Sequence, residues 1–157
     1  MSVSNVQRAE QDAARGLTVA VQMLSELQAA HSSLLAAIRE MERVAQPPPK
    51  SVREVTAARL KMSQASLARR MLIDHACDFL RARVSESDGR ALRALNRVRY
   101  DYQLRSTAHV SRWSVAQIAR DWTGYCAASR ELRSEMARSI EAERSILYAM
   151  LQRYRNA

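Results

Sequence analysis

The sequence holds three histidines, His31, His75 and His109, and each falls on a helical stripe of apolar residues. A fourth stripe runs through SIEAERSILYAML, Ser139 to Leu151, and carries Glu143 with Ser139 one turn before it. Asp78 stands about one turn beyond His75. Side chains on the apolar stripe of a helix project into the core. A charge placed there is expensive unless it is paired, hydrogen-bonded or bound to a metal. Imidazole and carboxylate groups from facing helices are how helical bundles build iron and manganese sites. His31, His75, Asp78, His109 and Glu143 are therefore the candidate metal ligands. The alternative is that the histidines are hydrogen-bonded core or boundary residues and that Glu143 is paired with a core histidine or arginine.

No other chemistry is supported by spacing. The chain has no Gly-rich phosphate loop and no nucleophile elbow. Cys77 and His75 are two apart, so on a helix they point away from each other and make no nucleophile–base pair. No catalytic residue is assigned, and the chain is expected not to be an enzyme.

Four helical segments position these residues. The first stripe runs Leu17, Val21, Leu24, Leu27, His31, Leu34, Leu35, Ile38, Met41 and Val44 at spacings of three and four. Gln46 and Pro47 to Pro49 end it, because proline cannot continue a helix and restricts the residue before it. Ser51-Val-Arg-Glu54 reads as a capping box for a second helix. Its stripe is Leu60, Gln64, Leu67, Met71, His75, Asp78, Phe79 and Ala82. SESDG, Ser85 to Gly89, is the next break, with Ser87 or Asp88 as the N-cap. The third stripe is Leu92, Leu95, Val98, Tyr102, Ser106, His109 and Trp113. A second capping box, Ser114 to Gln117, starts the fourth helix, in which Gly124 marks a kink or a close helix contact. The expected helices span about 17–46, 52–84, 89–112 and 115–155, after a flexible segment 1–14, in a single domain. Long amphipathic helices joined by short breaks give an all-α, antiparallel up-down-up-down four-helix bundle.

Composition agrees. Aromatic residues are 5% of the 157, only three glycines and three prolines interrupt the chain, and good helix formers dominate. The net charge of +9 would suit nucleic acid, yet the arginines are spread over every segment with no dense basic run, so solvated helix faces are the expected reading. Cys77 and Cys126 form neither a CxxC pair nor a disulfide framework. No secretory leader and no membrane-length apolar run stands in the sequence, so a cytoplasmic protein is expected.

The C-terminal stretch SIEAERSILYAML resembles the fourth-helix signature of hemerythrin-like (HHE cation-binding) proteins, His-Ile-x-x-Glu-Glu-x-x-Leu-Tyr-Pro-x-Leu. Ile140, Glu143, Leu147, Tyr148 and Leu151 agree with it, whereas Ser139 stands at the iron-ligating histidine and Ala149 at the proline. LQAAHSSLLAAI is similar to the family's opening Leu-x-x-x-His-x-x-Leu and puts His31 on a ligand position. MLIDHACDFL resembles a worn form of the same signature. The resemblance implies a four-helix bundle and, for a complete site, a non-haem di-iron centre used in oxygen binding, iron handling, or sensing of oxygen and nitric oxide. The family's site takes five histidines, so the three here exclude a complete one. What remains is a scaffold that has lost its metal and serves redox or stress sensing or partner binding, a residual mono- or di-metal site, a pocket left by the lost ligands that takes a small apolar or haem-like ligand, which nothing in the sequence supports, or a plain helical interaction module that forms a homodimer or docks a protein partner.

Overall fold

A computed structural model describes residues 3–156, and every regular element among them is helical. Helix α1 spans Val3–Val44, α2 Val52–Arg81, α3 Glu86–Arg112, α4 Val115–Arg120, α5 Trp122–Glu143 and α6 Ala149–Asn156. A π-helical turn, Arg144–Tyr148, joins α5 to α6. Helix α1 begins well before the expected start near 17. The polar residues 4–15 continue it with every side chain exposed, and Gly16 is the first residue buried.

The α1 stripe is the expected one from Leu24 onward, through Leu27, His31, Leu34 and Met41 to Val44, while Leu17 and Val21 face solvent. In α2 the expected stripe is overturned. Leu60, Leu67 and Met71 are exposed, as are His75 and Asp78. The face that packs carries Val55, Ala58, Arg69, Ile73, Ala76 and Leu80. Two stripes run along this helix, and the one with small side chains lies against α1, where Ala58 and Ala76 allow close approach.

Caps explain the breaks. Ser51 occupies the N-cap of α2 in extended conformation but makes no side-chain capping bond. Ser85, rather than Ser87 or Asp88, caps α3 by accepting the Asp88 N–H, so that helix starts earlier than expected. Ser114 caps α4 by accepting the Gln117 N–H. The expected fourth helix is interrupted at Asp121, which leaves helical conformation and caps α5 by accepting the Gly124 N–H at 2.9 Å. A Cβ on residue 124 would lie 2.2 Å from that carboxylate, so glycine is there to admit the cap.

The core has three parts. One end packs Leu27, Ile73, Leu80, Leu92 and Leu147, and the other packs Met41, Trp113, Trp122 and Tyr125. Leu34, Tyr102, Met136 and Ile140 fill the middle. Helix α1 packs along α2 and against α5 and α6, and α3 packs on α5, whereas α2 and α3 scarcely meet. No described helix is long and apolar enough to cross a membrane.

Candidate functional site

Glu143 is 0% exposed, and its charge is answered from four helices. His31 Nε2, on α1, lies 2.8 Å from one carboxylate oxygen. The other oxygen is 3.4 Å from Arg69 Nη2 on α2 and 3.8 Å from Arg99 Nε on α3. Ser139, one turn earlier on α5, donates its hydroxyl to the same oxygen at 3.4 Å. An ionised carboxylate only accepts, so His31 presents Nε2–H to it. The Tyr148 hydroxyl is hydrogen-bonded to the other ring nitrogen, Nδ1, at 2.6 Å. Burial pushes the Tyr148 pKa up, which keeps the hydroxyl proton in place.

The π-turn is what brings Tyr148 to the histidine. Residues five apart on an α-helix diverge by about 140° around the axis. The wider π-turn between Glu143 and Tyr148 reduces that divergence, so both side chains reach one imidazole.

The candidate metal set does not assemble. Only His31 and Glu143 come together, in direct contact with each other, and Arg69 stands beside them where a cation would be held. His75 and Asp78 lie on the exposed face of α2, and Asp78 pairs with Arg81 at 3.1 Å. His109 is half-buried with its ring against Tyr125, at a centroid separation of 5.9 Å. Burial, Arg59 and Arg133 push its pKa down to about 4. Among the described residues no group of three or more His, Cys, Asp or Glu is placed to hold a metal. The residues present therefore do not fit an iron centre, because the Arg69 guanidinium supplies to Glu143 the positive charge that a metal would have brought.

The open side of this hub is a cleft. Where α2 and α3 part, they leave a cavity of about 920 Å³ lined also by α5. Arg69, Arg99 and Tyr102 face it, and Met62, Leu67, Leu132 and Met136 supply apolar wall. Arg69 is 2% exposed, yet its Nε and Nη1 have no hydrogen-bond partner among the described residues. The Tyr102 hydroxyl is likewise unpartnered; burial raises its pKa to about 12, while Ser106 lies near it without closing a hydrogen bond. Burial also lowers the Arg69 pKa, and Glu143 partly restores it, so the group remains a cation. Buried donors without partners are uncommon in folded proteins and call for a reason.

Arg69 and this cleft were missed by the sequence reading. The signal was present, since Val55, Ala58, Met62, Ala65, Arg69, Ile73, Ala76 and Leu80 recur at three and four with one cation among them. Comparison of the chain with family models, with curated proteins and with solved structures finds no match.

Proposed function

We propose that this chain is a non-enzymatic binding module, a divergent hemerythrin-like bundle in which the metal centre has given way to an ion-pair hub beside a ligand cleft. In this reading the four rods run up-down-up-down and antiparallel, the last being α4 to α6 taken together. The family likeness draws support from His31 and Glu143, two positions it names, which meet across 112 residues of chain. Two buried free thiols, Cys77 and Cys126, suit a reducing cytoplasm. Sensing, which the resemblance implies, is exerted through occupancy of the cleft rather than through iron.

The observation that carries the reading is the cavity of about 920 Å³ between α2 and α3, floored by buried donors. Its size lies in the range of ligand pockets, with apolar walls and a few converging polar groups. The test is uptake of a neutral apolar fluorophore, N-phenyl-1-naphthylamine, by the full chain. Saturable binding that Ser106→Trp blocks, with the circular dichroism of the protein unchanged, supports the cleft as the binding site. Absence of uptake by the wild-type protein defeats it.

A further inference from the structure

We propose that the α2–α3 cleft receives a slender monoanionic amphiphile, a carboxylate at the end of an unbranched aliphatic chain, with Arg69, Arg99 and Tyr102 holding the carboxylate. This rests on the cleft being a binding site, and it adds the class of ligand.

Charge selects the head group. The cleft is lined by five arginines, Arg59, Arg69, Arg70, Arg81 and Arg99, against two aspartates, Asp74 and Asp78. Those aspartates are already engaged, Asp78 with Arg81 at 3.1 Å and Asp74 with Arg99 at 3.0 Å. At the floor, Arg69 and Arg99 face the buried carboxylate of Glu143, and Arg99 also pairs with Asp74. Around the cleft as a whole the five arginines still outnumber Asp74, Asp78 and Glu143 by two, which disfavours a cationic ligand.

Donor geometry points the same way. Arg69 turns Nη2 to Glu143 and leaves Nε and Nη1 unsatisfied, and the Tyr102 hydroxyl has a proton to give. Burial holds that hydroxyl protonated, with a pKa of about 12. A free guanidinium N–H and a hydroxyl near it can each take one oxygen of a carboxylate. A monoanion matches the few free donors here, whereas a phosphate dianion would bring more charge than Arg69 and Arg99, already facing Glu143 and Asp74, can meet.

The walls select the tail. Along α2 the cleft beyond Arg69 divides into two unlike halves. Toward Arg81 it is polar, with Asp74, Asp78 and Asn96. Toward Arg59 it offers Met41, Met62, Tyr125, Leu132 and Met136, and the imidazole of His109 is uncharged there at neutral pH. The seven to ten helical residues between Arg69 and the level of Met62 and Arg59 give about 10–15 Å of apolar wall. Methionines adapt to the contour of a flexible chain. An α-helix with its side chains is about 10 Å across, too broad to bring its backbone to atoms as deep as Arg69 Nη1, so a docked helix is the weaker occupant.

Titration calorimetry of the full chain with decanoate, 1-decanol, decyl phosphate and decyltrimethylammonium tests this. Decanoate should bind at least about tenfold more tightly than decanol, the ratio expected for charge-assisted hydrogen bonds in a buried site. Affinity should rise roughly two- to fourfold per methylene from octanoate to dodecanoate. Tyr102→Phe removes a hydroxyl with no partner among the described residues, so it should fold normally, weaken decanoate about three- to tenfold and leave decanol unchanged. Arg69→Met should erase the preference for decanoate. If that variant does not fold, Arg99→Gln with Tyr102→Phe decides the matter. Equal binding of decanoate and decanol overturns the ligand class while leaving the cleft as a binding site. Preference for decyl phosphate or for the cation overturns the monoanion assignment. Failure of every amphiphile, together with no uptake of the neutral fluorophore, overturns the binding reading itself. A dimer in sedimentation that excludes both fluorophore and decanoate assigns the cleft to a second copy and overturns the proposal.

Discussion

A carboxylate cut off from water has to be matched where it stands, and Glu143 is matched by an imidazole N–H, a hydroxyl and two guanidinium groups. Breaking such an arrangement leaves Arg69 as an uncompensated buried charge, which typically costs about 3–5 kcal/mol. Urea unfolding of Glu143→Gln should show a loss of roughly this size. The double substitution of Arg69 and Glu143 to methionine should lose clearly less than the two single substitutions added together, because it leaves no charge behind. His109 provides a second prediction. Its pKa is lowered to about 4, so between about 6.5 and 4 the unfolded chain takes up a proton that the folded one refuses. Stability then falls as pH drops through that window and is complete above it. Allowing for partial solvent screening, the contribution is roughly 1–2 kcal/mol. It should appear as a shallower acid slope in His109→Gln than in the wild type, measured by urea midpoints from pH 7 to 4. Glu143 was legible as a buried, partnered carboxylate because three- and four-residue spacing places it unambiguously. His75 and Asp78 were not legible, because α2 carries a second set of apolar residues at the same period.

That ambiguity belongs to helices rather than to residues. Periodicity states that a helix has an apolar face but does not choose between two candidate faces. In α2 the choice depended on which face α1 could approach closely and on a carboxylate from α5 ready to meet Arg69. The ends of α1 and α3 were readable from Pro47 to Pro49 and from Trp113-Ser114, where proline and a capping serine act locally. The interruption at Asp121 was harder to see, since its cap depends on Gly124 having no side chain. Asp121→Ala should cost about 1 kcal/mol of stability in thermal or urea unfolding, the usual worth of an N-cap. The π-turn has no sequence signature of its own, yet it sets Tyr148 against His31. Tyr148→Phe should lose about 1 kcal/mol by the same measurement, the net worth of a hydrogen bond whose loss leaves Nδ1 unsatisfied.

For the molecule as a whole, the ion-pair hub lies between two apolar clusters that do not share residues. Helices α1 and α2 run through both, so the clusters should unfold together. Tryptophan emission, which reports only the end holding Trp113 and Trp122, should coincide with the far-ultraviolet circular dichroism transition of the whole chain. A separation of the two curves would show that the ends behave as independent units. The fold class was legible because composition and helix punctuation are global signals. The cleft was not, because it arises from the sparse packing between α2 and α3, which no local pattern encodes.

The opening turns of α1 carry a last consequence. From residue 4 to residue 15 the helix runs for about 18 Å with no buried side chain, until Gly16 lies beneath Tyr154 of α6. A stretch of that length has only its own backbone hydrogen bonds to hold it, and isolated helices so short are marginal in water. Amide protons there should exchange with deuterium on a gradient, fastest toward Val3 and slowing sharply past Gly16. The point at which α1 stops behaving as a peptide and starts behaving as a protein should therefore be visible, residue by residue, along one unbroken helix.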